Sequence, residues 1–149
     1  MNAATRKRGF GGVAVLALRD VEDATYVVLI RKDKRARGAD LFELPSGGML
    51  KGETPHTAAA RELREETGYT AATMEALTRF HTEPGVLEEP MHAYVACGLE
   101  AGRQALEEGE RLSVHEWTVE DALAAVDDGR ITDAKTMLVL LLARSRGLI

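Results

Sequence analysis

Cysteine is nearly absent from this chain. Cys97 is the only one among 149 residues, so no disulfide can form within the chain. The apolar stretch around it, residues 93–99, reads as a buried core thiol rather than a nucleophile. Aromatic residues make up only 5% of the chain, so few side chains can stack on a planar ligand. Phe10, Tyr26, Phe42 and Phe80 read first as core or edge packing. No apolar run approaches the 18 residues of a membrane span. The first such run, residues 13–18, is too short for a secretory leader, although residues 1–8 are basic. The expectation is a cytoplasmic protein that meets no membrane. An excess of positive charge is also missing: the formal net charge is −5, which disfavours general nucleic-acid binding.

What the chain does contain is an ordinary globular composition, 45% hydrophobic and 29% charged, at a length that buries one proper core. Residues 1–149 read as a single domain, with 1–9 a loose basic tail and no repeats, low-complexity tracts or linkers. Residues 12–18 form a near-continuous apolar run and 25–30 a β-branched one. Together they read as a hairpin over 12–31 with a polar turn at 19–24. The loop at 31–40 is strongly basic. Its plain reading is a solvated connection; its functional reading is that one or two of its cations meet substrate phosphates, with Arg31, at the strand end, the best placed. A short strand at 41–45 delivers the chain to Gly47 and Gly48. After one helix come strands at 73–82, 91–99 and 111–117. Helices follow at 119–128, capped by Thr118, and at 133–145, capped by Thr132. Strands, helix, strands, helices is the order of an α+β fold with a mixed sheet.

The stretch 47–69 stands apart. Thr54 suits an N-cap, Pro55 the first helical position and Gly68 the C′ stop. Between them, three alanines, Arg61, Leu63 and Arg64 favour helix. Glu62, Glu65 and Glu66 fall within about 100° of arc on that helix. Like charges so placed repel by about 0.2–0.5 kcal/mol per pair. A solvated acidic face is the usual meaning of such a run. The alternative is a bound cation, and carboxylates with no His or Cys beside them suit a hard ion, Mg²⁺ or Mn²⁺. Ala58 and Ala59, beside the cluster, would let a bulky ligand approach. Arg61 lies where it can pair with Glu65.

The pattern Gly47, five residues, Glu53, seven residues, then Arg61-Glu62-Leu63-x-Glu65-Glu66-x-Gly68 matches the Nudix box in every spacing. Tyr69 stands where that family usually has an aliphatic residue. The chain resembles the Nudix hydrolases over about residues 12–145. The resemblance implies an α+β fold, an α/β/α sandwich around a mixed β-sheet, and cleavage of the pyrophosphate in a nucleoside diphosphate linked to another group. It implies that Glu62, Glu65 and Glu66, with the Ser46 backbone carbonyl, hold divalent cations. Glu65, Arg61 and Glu53 would belong to the catalytic machinery, the last two by organising the loop and the helix. Gly47 and Gly48 would allow a turn that other residues would strain.

Three further features resemble the ADP-ribose pyrophosphatase subfamily. Pro84 lies fifteen residues beyond Tyr69, and Pro84-Gly85-x-x-x-Glu89 looks like that subfamily's substrate loop. This would put Pro84, Gly85 and Glu89 beside the substrate, with Arg31, Gly47 and Gly48. Glu108-Gly109-Glu110 resembles its Glu-x-Glu loop, with Glu108 as the base and Glu110 as an auxiliary ligand or support. Residues 128–136 resemble its ending and read as a structural joint between the last helices. The implied partner is a small nucleotide, ADP-ribose or a related nucleoside diphosphate sugar, cleaved to AMP and a sugar phosphate. The implied assembly is a homodimer. Dinucleoside polyphosphates and oxidised dNTPs stay open as substrates, as does a sensor that binds ADP-ribose without cleaving it; the acidic balance argues against capped RNA. Many subfamily members bind adenine with a longer N-terminal strand region. Here the first expected strand begins near residue 12, which puts the adenine contacts and the dimer mode in question.

Overall fold

The computed structural model describes residues 11–32, 41–83 and 89–149. The tail expected at 1–9, Phe10, the basic loop from 33 to 40, and Pro84 and Gly85 lie outside them.

Strands β1 (Gly12–Val21) and β2 (Ala24–Lys32) make the expected hairpin, antiparallel from Leu18↔Val27 to Val21↔Ala24. The turn is tighter than the polar stretch 19–24 predicts. Only Glu22 and Asp23 lie between the strands, and Glu22 takes φ 55°, a conformation non-glycine residues seldom adopt. Charged residues stay in the ribbon because its end is open to water, where Thr25 donates to Asp20 at 2.6 Å.

β1 is the spine of the sheet. β6 (Met91–Glu100) runs parallel to it from Gly12↔Met91 to Ala17↔Ala96, and β4 (Ser46–Gly48) pairs antiparallel with residues 12–14 on the other edge. β5 (Thr70–Phe80) joins β6 antiparallel. β3 (Leu41–Glu43) pairs with the end of β2, and β7 (Leu112–Thr118) pairs with most of it, both antiparallel. One parallel pair among antiparallel ones makes a mixed seven-stranded sheet.

Strand alternation divides the core between two faces. Val13, Val15 and Ala17, with Val28 and Tyr94, pack on Ala58, Ala59 and Leu63 of helix α1 (Pro55–Thr67). Leu16, Val27 and Leu29 point the other way, onto Ala122 and Ala125 of α2 (Val119–Asp128) and Val139, Leu140 and Ala143 of α3 (Ala134–Ser145). The result is the expected α/β/α sandwich of an α+β fold. No described helix is long and apolar enough to cross a membrane.

Several expectations are corrected. Gly47 and Gly48 lie in strand β4 rather than in a turn, and neither has positive φ. Ala58 and Ala59 face the sheet, fully buried, not a ligand. Cys97 is exposed, because the β1–β6 pairing ends at Ala96 and β6 continues only as a ribbon with β5. The last helix is capped by Asp133, not Thr132: the Asp133 carboxylate accepts from the Thr136 amide at 3.2 Å and its hydroxyl at 2.6 Å. A charged carboxylate makes the stronger cap.

That cap is part of a clasp on β3. Thr136 Oγ1 accepts the Leu44 amide at 3.0 Å. Lys135 Nζ donates to Glu43 Oε1 at 2.8 Å and to Asp133 Oδ1 at 3.0 Å. Glu43 is 4% exposed, and its Oε2 has no partner among the described residues.

Candidate active site

Helix α1 forms as its sequence dictates. Thr54 accepts the Thr57 amide at 3.2 Å, Pro55 opens the helix, and Gly68 ends it at φ 82°. With Ala59 and Leu63 drawn into the core, the helix turns Glu62 and Glu66 inward as well. They are 3% and 2% exposed. A solvated acidic face does not describe them.

Arg61 organises this face. Its Nε and Nη2 bind the two oxygens of Glu53 at 2.6 and 3.0 Å, and Nη2 also reaches the Gly48 carbonyl at 3.0 Å. Nη1 binds Glu62 at 2.9 Å and Glu65 at 3.2 Å. Glu53 in turn accepts the Leu50 amide at 2.9 Å. The Glu53 hydrogen bond and the Glu62 charge hold the guanidinium well above its usual range. One side chain thus ties the loop after β4 to the helix. Gly47 lets the two meet, since a Cβ there would overlap the Glu62 carboxylate.

Glu66 has other partners. Its Oε1 accepts the Ser46 amide at 2.7 Å, and its Oε2 lies 4.0 Å from Lys32 Nζ. Burial pushes its carboxyl up to about 8, against the pull of Lys32 and the Ser46 amide, and Glu62 and Glu110 push the same way. Strand alternation explains the lysine: Val28 and Lys32 share the α1 face of β2, whereas Val27, Leu29 and Arg31 share the other. Arg31 therefore lies on the face of β2 opposite the one that carries Lys32. It is exposed, with its guanidinium 6.0 Å from the Phe42 ring. Lys32 was not singled out from the sequence, although the period of two along β2 identifies it.

The segment between β6 and β7 docks on the end of α1. The Ala105 amide donates to the Glu65 carbonyl at 2.9 Å, and the Gln104 side chain to the Glu66 carbonyl at 2.7 Å. Beyond it, Glu110 accepts the Glu107 amide at 2.7 Å. Glu110 is close enough to raise the Glu66 carboxyl. Glu108 is exposed at the tip of this turn. Glu89 is exposed beside Pro90, whose carbonyl accepts the Gly12 amide at 3.3 Å; neighbouring Gly11 accepts the Met49 amide at 3.0 Å. Glu89 thus lies beside Gly11, next to the end of β4.

Among the described residues no three acidic, His or Cys side chains stand grouped as a finished ion site. Arg61 holds Glu53, Glu62 and Glu65, while Lys32 and the Ser46 amide hold Glu66. The donor set still fits a hard divalent ion. It is all oxygen, and four carboxyl groups face two cations, so even with Glu66 protonated the negative charge of these groups exceeds the positive by one. Glu66 is 2% exposed, and that burial is the first cause of its raised carboxyl.

The fold is a sandwich in which a glycine strand lies on an arginine-tied acidic helix, an arrangement that gathers oxygen donors suited to a hard divalent ion. The sequence profile of the NUDIX domain matches residues 10–140. The ADP-ribose pyrophosphatase of Bacillus subtilis (strain 168) is 39% identical over 128 residues, 85% of this chain and 68% of that one. The methanol dehydrogenase activator of Bacillus methanolicus is 37% identical over 145 residues, 93% of this chain and 77% of that one. A solved structure described as an ADP compounds hydrolase superposes with a TM-score of 0.75 at 25% identity, covering 90% of this chain and 71% of that one. The chain belongs to the NUDIX domain family.

Proposed function

We propose that this protein is a pyrophosphohydrolase that cleaves ADP-ribose or a related nucleoside diphosphate sugar to a nucleoside monophosphate and a sugar phosphate. The observation that carries this reading is the Arg61-centred cluster of Glu53, Glu62 and Glu65 beside buried Glu66. The likeness to an ADP-ribose pyrophosphatase and to an ADP compounds hydrolase supports the substrate class.

Glu62, Glu65 and Glu66, with the Ser46 carbonyl and with Glu110 in support, would hold Mg²⁺, or Mn²⁺ in its place. Such an ion supplies Lewis acidity, drawing charge from the pyrophosphate oxygens and making water more acidic. The chain's own groups do the rest. Arg61 and Glu53 keep the carboxylates and the β4 loop in register. Lys32 adds positive charge beside Glu66, where substrate phosphates are drawn in. Gly47 and Gly48 would let the substrate lie close to the backbone, and by the family likeness Pro84, Gly85 and Glu89 would border it. Glu108 takes the proton of the attacking water as its oxygen bonds to one phosphorus; the bridging P–O bond breaks and its electrons leave with the other phosphate. Arg31, at the end of β2, would meet the substrate's far end. The family likeness extends the reading to a homodimer in the cytoplasm.

A substrate panel with Mg²⁺ tests the assignment: ADP-ribose, GDP-mannose, a dinucleoside polyphosphate and an oxidised dNTP, with both products quantified. The nucleoside diphosphate sugars should be cleaved best. Preference for the dNTP would overturn the substrate class, and no cleavage of any of the four would overturn the enzymatic reading.

A further inference from the structure

The last carbonyls of a helix have no partner within it. In α1 two of these belong to the acidic residues themselves, and both are taken by a distant segment. Glu65 O accepts the Ala105 amide at 2.9 Å, and Glu66 O accepts Gln104 Nε2 at 2.7 Å. The approach depends on two glycines. A Cβ on Gly68 would overlap the Gly102 carbonyl, and one on Gly102 would stand 2.8 Å from the Gly68 carbonyl. The box glycine therefore does more than end the helix: it clears the ground on which residues 102–105 lie. A few residues later the chain closes on itself, with the Glu107 amide on Glu110 Oε1 at 2.7 Å and the Glu110 amide on Glu107 O at 3.0 Å. Glu108 and Gly109 form the tip, Gly109 at φ 82°. The Ala105 contact is made by backbone and any residue could provide it. Gln104 supplies a side chain to the dock.

We propose that Gln104 is a positioning residue: its amide fastens the 102–105 segment to the last turn of α1 and so holds the Glu107–Glu110 turn against the acidic face during turnover. The inference rests on the roles given above to Glu108 and Glu110. It makes the dock a coupling between two parts of one site, since the helix end that would carry the cation also carries the loop that would carry the base.

Gln104→Met keeps the side-chain length and removes the donor. In the metal-free protein, hydrogen exchange of the Ala105 amide should become about five- to tenfold faster, as loss of one hydrogen bond implies. Gln104 is exposed, so the thermal midpoint should move by less than about 2 °C. With substrate, kcat should fall by about the same five- to tenfold while KM stays within about twofold, the pattern of an interaction needed in the transition state. Gln104→Arg, which keeps N–H donors, should recover both readouts. Unchanged Ala105 exchange in Gln104→Met would overturn the anchor whatever the substrate proves to be. Faster exchange with unchanged kcat would overturn its role in turnover. A wild-type protein inactive on every nucleoside diphosphate derivative would instead sink the functional reading, and the exchange measurement would still decide whether Gln104 anchors the loop.

Discussion

Replacing Arg61 with alanine removes a positive charge and five hydrogen bonds to Glu53, Glu62, Glu65 and the Gly48 carbonyl. Breaking a buried ionic group by removing one partner costs about 3–5 kcal/mol. Here the arginine side chain is 14% exposed and its partners 9%, 3% and 22%, so water repays part of the loss and the lower end, about 3 kcal/mol, is expected. A chain of this length unfolds with an entropy of roughly 0.3 kcal/mol/K near 60 °C, so the midpoint should drop by about 10 °C. A cation and Arg61 neutralise the same carboxylates. Mg²⁺ at about a hundred times its dissociation constant stabilises a protein by about 2.7 kcal/mol, and it should bind the variant's uncompensated cluster more tightly than the wild type's. Circular-dichroism melts of both proteins, in EDTA and in excess Mg²⁺, check the reasoning. The gap between them should be wide in EDTA and narrower with metal. A gap below about 3 °C in EDTA would mean that Arg61 is not the neutralising centre of the cluster. An equal gap in both conditions would refute the claim that arginine and cation serve the same groups.

Other expectations follow from the same geometry. Glu65→Gln should lower metal-dependent turnover by about 10²–10³-fold without lowering the melting midpoint in EDTA. Glu108→Gln should cost about 10²–10⁴-fold in kcat; near-full activity in steady-state assays would remove it as the base. Gly47→Ala forces a methyl into the Glu62 carboxylate, an overpacking cost of about 1–3 kcal/mol, and calorimetry should show weaker Mg²⁺ binding alongside the lower midpoint. Lys135→Met leaves Glu43 buried without its cation and should destabilise by about 3–5 kcal/mol in urea titration, whereas adding Glu43→Leu should restore most of the loss.

The elements were legible where local rules decide them. Thr54, Pro55 and Gly68 bound α1 because caps and stops act over a few residues, and residues 119–128 became α2 for the same reason. That Glu62, Glu65 and Glu66 share one side of α1 was legible from spacing alone. What escaped were facts of three-dimensional neighbourhood. Gly47 and Gly48 look like a turn until β1 is laid beside them as a pairing strand. Arg31 and Lys32 differ only in the side of the sheet they face, and the basic composition of the loop hid that parity. Cys97 sits in apolar sequence, yet the pairing of β6 with β1 stops one residue before it and leaves it exposed. Glu43 and Lys135 are 92 residues apart, so no local pattern could pair them. Gln104 meets α1 across 38 residues and lies in a stretch with no regular structure to read.

The clasp on β3 has a mechanical consequence. Leu44 gives its amide to Thr136 of α3, and Ser46, two residues on, gives its amide to Glu66 of α1. One short length of chain is thus gripped from both helical layers, and the first turn of α3 stands in series with the acidic face on the far side of the sheet. Thr136 is fully buried and fixed, while Leu138 and Leu141 of the same helix face outward, 39% and 50% exposed. Load applied to that outer surface, by substitution or by a neighbouring molecule, has a path through the Thr136 hydroxyl and the Leu44 amide to the strand, and through the Ser46 amide on to Glu66. The rear layer of the sandwich can therefore serve as a tuning surface for the site, where changes adjust the grip on Ser46 without altering any group that would meet the substrate.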